Sequence, residues 1–169
     1  MIRRSNDAPS SVFIPVVDAG LAVRAGGGRT GGRGALGPHV TLVWPFLPAR
    51  LLDEPAIARL GSIVSGRPCF SVAFDRTGRF PEAPYLAPDD PSPFVALVDA
   101  VVREWPEYPP YGGAYADMIP HVTLGSGAVD LEAVTSLLPI VVRVGEVHLA
   151  IHRRRRGWRT IAKLPLSAR

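Results

Sequence analysis

The element order read from the sequence runs strand, strand, helix, strand, strand, helix, strand, helix, strand, strand. That order predicts an α+β fold with antiparallel sheets and helices on the outside, and it excludes a doubly wound parallel sheet or an all-β fold. A second observation divides the chain in two. Pro38-His39-Val40-Thr41-Leu42 returns unchanged as Pro120-His121-Val122-Thr123-Leu124, 82 positions later. That spacing is too long for a solenoid repeat and predicts two related halves, each delivering one copy. Third, 18 prolines and 17 glycines among 169 residues demand short, sharply punctuated elements. The expectation is a single domain over residues 1–169, bilobal with a pseudo-two-fold relation between intertwined lobes.

Each element has its own signal. Val12 to Val17 reads as the first strand. Residues 26–37 hold seven glycines, with Arg29, Thr30 and Arg33, and read as a flexible loop. The tract lacks the Gly-Lys-Ser/Thr ending of a phosphate-binding loop. His39 to Phe46 is a strand by its β-branched and aromatic content. Asp53 to Val64 reads as a helix, with Ile57, Leu60 and Val64 at helical spacing.

Cys69 to Phe74 alternates as a half-buried strand does. Arg76-Thr77-Gly78 reads as a turn into a strand near Phe80, and Tyr85 to Ala87 as another short strand. Phe94 to Trp105 is the clearest helix: Phe94, Leu97, Val98, Val101, Val102 and Trp105 form one apolar stripe, and Pro106 ends it. Residues 106–120 read as a loop, His121 to Leu124 as a strand and Asp130 to Leu138 as a short helix. Ile140 to His152 and Trp158 to Leu166 read as two strands joined by an arginine-rich turn.

Composition excludes several classes. With 47% hydrophobic and 20% charged residues, the chain is too apolar for whole-chain disorder. Cys69 has no partner for a disulfide, and neither a signal peptide nor a membrane-spanning run is recognisable. The expected compartment is a reducing cytoplasm. The net charge is +4, which admits an anionic substrate but is too small for extended nucleic-acid wrapping.

The repeat carries the chemistry. Side chains alternate along a strand, so His39 and Thr41 share one face while Val40 and Leu42 point into a core. The same holds for His121 and Thr123 against Val122 and Leu124. A histidine titrates near neutrality. One imidazole can take a proton from an attacking oxygen while the other gives one to the leaving oxygen on the far side of phosphorus. Threonine hydroxyls can bind the non-bridging oxygens. The arrangement suits phosphoryl transfer without a metal.

Two His-x-Thr motifs at this spacing resemble the two-histidine (2H) phosphoesterase superfamily, in its bacterial 2′-5′ RNA ligase-like branch. His39-Val40-Thr41-Leu42-Val43-Trp44-Pro45-Phe46 is similar to the first motif, and His121-Val122-Thr123-Leu124 to the second. Gly78-Arg79-Phe80, Tyr85-Leu86-Ala87-Pro88, Trp105-Pro106-Glu107 and Pro110-Tyr111-Gly112-Gly113 resemble the spacer. The glycine tract departs from relatives, which often carry a more regular helix there. The resemblance implies two antiparallel sheets flanking a central cleft, no cofactor, and hydrolysis or reversible ligation at a ribose cyclic phosphate or 2′-5′ phosphodiester. The substrate would be a nucleotide or an RNA end. By motif, His39 and His121 would be the acid–base pair, with Thr41 and Thr123 as phosphate holders.

Other residues have a structural and a functional reading. His148 and His152 share a strand face, but a metal site would need further convergent ligands, so a solvated or core-edge place is expected. Trp44 and Phe46 read as core residues. Tyr111 and Tyr115 read as groove-rim residues able to stack a nucleobase. Arg153 to Arg156 form a solvated turn or, with Trp158, an RNA contact. Two rivals to the enzyme follow: a non-catalytic module holding a phosphate ester or RNA end in the same cleft, and an RNA-interaction protein working through the basic turn.

Overall fold

Hydrophobic alternation, caps and prolines set the elements of the computed structural model, which describes residues 7–17, 34–125 and 129–168. In chain order these are β1 (Ser10–Pro15), β2 (His39–Val43), a 3₁₀ turn (Ala49–Leu51), α1 (Glu54–Ser65), β3 (Phe70–Arg79), β4 (Pro84–Pro88) and α2 (Ser92–Glu104). A second 3₁₀ turn (Pro110–Gly113), β5 (Val122–Thr123), α3 (Leu131–Thr135), β6 (Ile140–Val144), β7 (Glu146–Arg153) and β8 (Gly157–Pro165) complete the order. Most of the glycine tract, with Arg29, Thr30 and Arg33, lies outside the described residues.

All eight strands join in the order β6-β3-β4-β5-β2-β1-β7-β8, and every pairing between named strands is antiparallel. The two expected sheets are therefore two four-stranded halves of one sheet, and the repeated motifs form the seam. At that seam β2 pairs with β5 through Val40 opposite Val122.

The core fills the space between the sheet and the helices. Val40, Leu42, Val122 and Leu124 are sealed from solvent and join Phe74, Leu86, Phe94 and Leu97 in one cluster. Helix α1 begins where the Asp53 carboxylate accepts from the Ala56 amide (2.9 Å), and α3 where Asp130 does the same for Ala133 (2.9 Å). Such caps satisfy amides that have no partner within the helix. Of the predicted α2 stripe, Phe94, Leu97, Val98 and Val101 are buried, with Phe94 edge-on to Phe70 (5.3 Å between ring centres), while Val102 and Trp105 are partly buried against the core. Among the described residues no helix is long and apolar enough to cross a membrane.

Two sequence-based expectations need correction. Arg76-Thr77-Gly78 is not a turn: β3 runs unbroken to Arg79, with a register shift between Phe74 and Arg76, and Gly78 stands opposite Tyr85. The missing Cβ of Gly78 accommodates the Tyr85 ring, which would collide with any side chain there. The glycine serves a close approach rather than a reversal. Likewise, Ile140 to His152 is two strands. β6 pairs with β3 in one half and β7 with β1 in the other, so the chain crosses between lobes at Gly145.

Gly78→Ala is expected to cost about 1–3 kcal/mol through overpacking, read by denaturant unfolding. The loss should be mostly relieved in Gly78→Ala/Tyr85→Ala, relative to Tyr85→Ala alone. A full loss in that background would place the cost elsewhere.

Candidate active site at the strand seam

Residues at the seam fall into two rows. With Val40 opposite Val122, antiparallel register puts His39 across from Thr123 and Thr41 across from His121. The alternation predicted from sequence holds: the motif valines and leucines are buried, whereas His39, Thr41 and His121 are half-buried and Thr123 is exposed. The four polar side chains therefore share one face of one strand pair. The histidines are diagonal neighbours, roughly 7–8 Å apart at the backbone, with a hydroxyl-bearing residue across from each.

The two imidazoles are held alike. Nδ1 of His39 lies 2.7 Å from the Gly37 carbonyl oxygen, and Nδ1 of His121 lies 2.7 Å from that of Ile119. A carbonyl can only accept, so Nδ1–H donates in both rings. Each Nε2 is thereby left as the ring nitrogen able to accept a proton. Proline is the residue shared between each carbonyl and its imidazole, as Pro38 and Pro120. Aromatic edges hold the rings in place: Phe13 packs against His39 (5.3 Å), and Phe80 (4.8 Å) and Tyr85 (5.5 Å) pack against His121. These partners were not recognised from sequence. Phe13 comes from β1, where it stands opposite Thr41.

Burial pushes the His39 pKa below the ordinary histidine value. The bond to Gly37 opposes that shift and the nearby charge of His121 adds to it. His121 is also lowered by burial, against the bond to Ile119. Neutral imidazoles, ready to accept a proton, are therefore favoured in the free protein. The sign for stability follows. Below a pH of about 6.5 the unfolded chain binds protons that the folded one resists, so acidification through that window destabilises the fold.

Two cavities of about 330 Å³ each open from this face. One borders His121 and is lined by Phe80, Glu82, Tyr111, Tyr115, Asp117 and Met118 among others. The other borders His39, with Thr41, Trp44 and Trp158 in its wall. Tyr111 and Tyr115 stand edge to face at 5.5 Å, and the Tyr111 amide is anchored to the Trp44 carbonyl (2.6 Å). Burial, and secondarily Tyr115, raise the Tyr111 pKa, so its hydroxyl stays protonated at neutral pH.

Trp44 corrects an expectation. It is 42% exposed in the His39 cavity wall, whereas Phe46 is buried against Trp105 as expected. Strict alternation from Val40 and Leu42 would send Trp44 to the core, but Val43 is buried next to Leu42 where the β1–β2 register shifts, so the alternation ends there and Trp44, one residue past β2, turns outward. His148 is buried, with Nε2 2.6 Å from the Glu146 carboxylate, and His152 packs edge-on to Trp158. Among the described residues no cluster of three or more His, Cys, Asp or Glu side chains is placed to hold a metal ion.

Comparison with known proteins agrees with this architecture. The family model of the 2′-5′ RNA ligase superfamily matches residues 22–156, and the chain belongs to that superfamily. No protein of curated function matches it in sequence. Among solved structures it is similar to E. coli LigT complexed with 3′-AMP, at 16% identity and TM-score 0.63, covering 95% of this chain and 99% of that one. TT0787 of Thermus thermophilus matches at 17% identity and TM-score 0.67, over 95% and 98% of the two chains. A structure described as a phosphoesterase matches at 17% identity and TM-score 0.62, over 96% and 99%.

Proposed function

We propose that the chain is a phosphodiesterase that works without a metal, hydrolysing or reversibly ligating a ribose cyclic phosphate or 2′-5′ phosphodiester of a nucleotide or RNA end. The observation that carries this reading is the duplicated imidazole with its Nδ1 committed to a backbone carbonyl and its Nε2, among the described residues, without a hydrogen-bond partner. One neutral Nε2 takes the proton of an attacking water as the oxygen bonds to phosphorus. The other ring, protonated, gives its Nε2 proton to the ribose oxygen as that P–O bond breaks. The same sequence with a ribose hydroxyl in place of water joins the two ends and frees the other ribose oxygen as a hydroxyl, and its reverse, with acid and base exchanged, cleaves the 2′-5′ diester back to the cyclic phosphate. Thr41 and Thr123 hydroxyls hold the non-bridging oxygens.

Family membership supports a phosphoesterase or RNA ligase-like activity. E. coli LigT, a similar fold, was crystallised with 3′-AMP and with ATP, which supports a nucleotide in this cleft. The His121 cavity, with Tyr111 and Tyr115 in its wall, is suited to stack a nucleobase.

The test is a panel of 2′,3′-cyclic nucleotides, ADP-ribose cyclic phosphate and 2′-5′ dinucleotides, with products separated and a chelator present or absent. Turnover of at least one member, unchanged by chelator, is expected. Nucleotide binding with no product from any member would favour the non-catalytic module.

Both histidine pKa values are lowered in the free protein, so the bell-shaped kcat/KM profile should peak on the acid side of about 6.5. Its two limbs belong to the histidine pair rather than to either ring. Bound phosphate anion favours the imidazolium, so the kcat profile should lie at higher pH. A kcat/KM optimum well above neutrality would contradict this assignment.

A further inference from the structure

The two cavities beside the histidines differ in charge, and the difference gives a bound strand a direction. Glu82 and Asp117 stand in the wall of the His121 cavity, where their carboxylates repel further phosphates. Among the described residues the His39 cavity has no acidic residue in its wall, and it is flanked by Trp44 and Trp158. Trp158 is the second residue of β8, beside the β7–β8 turn, and Arg153 at the end of β7 and Arg154, Arg155 and Arg156 in the turn are all exposed. Among the described residues none of these four arginines is in an ion pair.

The turn is tied to the catalytic strand. The Trp158 amide donates to the Gly34 carbonyl (2.7 Å), and Gly34 and Gly157 approach so closely that a side chain on either would strike the other's backbone. Gly34 lies five residues before His39, a span of at most roughly 16–18 Å when fully extended. Residues Ala35 to Gly37, between them, form part of the wall of the His39 cavity. A path lined by two tryptophans and ending in four exposed guanidinium groups thus starts at the motif residues.

We propose that this path is a strand-binding site. It takes a single-stranded RNA segment longer than one nucleotide, whose backbone phosphates run from His39 past Trp158 to the Arg153–Arg156 turn. One terminal nucleoside occupies the Tyr111/Tyr115 cavity. The proposal rests on the phosphodiesterase reading for the position of the reacting phosphorus and adds the surface that holds the rest of the strand, which favours an oligonucleotide end over a free mononucleotide. Guanidinium forks pair with phosphate oxygens, and indole faces stack bases without regard to sequence.

The test measures binding of an oligoadenylate hexamer carrying a 3′-phosphate against binding of 3′-AMP, by competition with a labelled hexamer over a range of salt. It also measures turnover of a hexamer ending in a 2′,3′-cyclic phosphate against 2′,3′-cyclic AMP. The wild type should bind the hexamer at least about tenfold tighter at low salt, with a log–log salt slope near −2 for about three phosphates neutralised. Arg154→Gln/Arg155→Gln/Arg156→Gln should abolish both the advantage and the slope, while 3′-AMP affinity and 2′,3′-cyclic AMP turnover stay within about twofold of wild type.

Equal binding of hexamer and mononucleotide by the wild type, or an advantage kept by the triple variant, would overturn the proposal. The two readings fail separately. Arginine-dependent hexamer binding with no turnover of any substrate sinks the reaction and keeps the strand site. Turnover with no length dependence keeps the reaction and sinks the strand site.

Discussion

His39→Ala and His121→Ala should each lower kcat by about 10²–10⁴-fold, the range for a positioned proton-transfer group, while the protein stays folded. If the two rings act on one phosphorus as a unit, the double variant should lose little more than the worse single one. Neither imidazole belongs to the apolar core, which is built from Val40, Leu42, Val122 and Leu124 on the opposite face. Truncation removes an aromatic contact to Phe13 on one side and to Phe80 and Tyr85 on the other. Thermal unfolding should therefore shift by only a few degrees. It should also become less sensitive to acid, since a histidine with a lowered pKa no longer resists protonation in the folded state. The check is turnover of a 2′,3′-cyclic nucleotide alongside circular-dichroism melts at pH 5 and pH 8, values that bracket the histidine range at about 6.5. Near-wild-type turnover by either variant would remove that histidine from the reaction.

The second large effect lies at the hydroxyls. Thr41→Val and Thr123→Val keep the β-branched shape that suits a strand and delete only the hydroxyl. Among the described residues neither hydroxyl is committed to a hydrogen bond, so no structural bond is lost. If each holds a non-bridging oxygen through the transition state, kcat should fall by roughly 10²–10³-fold for each, as for removal of one oxyanion donor. Thr→Ser at the same position should recover most of the rate, and KM should move less than kcat. A rise in KM with kcat unchanged would make these residues ground-state binders only. Thr123 is the sterner case, because it is exposed and stands between His39 and Tyr85 in the register of the neighbouring strands.

Much of this was legible in the sequence because strand periodicity and a repeat act together. Alternation at His39-Val40-Thr41-Leu42 separated a polar face from a buried one, and the structure keeps that separation at both motifs. The α2 stripe from Phe94 to Trp105 was readable for the same reason: a long periodic element leaves little freedom. What could not be read depends on backbone geometry between elements. The carbonyls of Gly37 and Ile119 hold equivalent rings although the two residues differ, so no residue-type signal marked them; only the repeated Pro38 and Pro120 hinted at a shared approach to the histidine. Gly78 was misread because its use depends on Tyr85, a neighbour across the sheet rather than along the chain. The split at Gly145 escaped because the residues on both sides are equally strand-like, and only the pairing partners show that β6 and β7 lie in different halves.

The central claim is that His39 and His121 address one phosphorus from opposite sides. The direct measurement is a crystal structure with a nucleoside vanadate, whose five-coordinate centre imitates phosphorus in flight. The account predicts Nε2 of His39 and Nε2 of His121 each within hydrogen-bond reach of one apical oxygen, with Thr41 and Thr123 hydroxyls on the equatorial oxygens. Vanadate bound through one histidine alone, or held away from the β2–β5 seam, would contradict it.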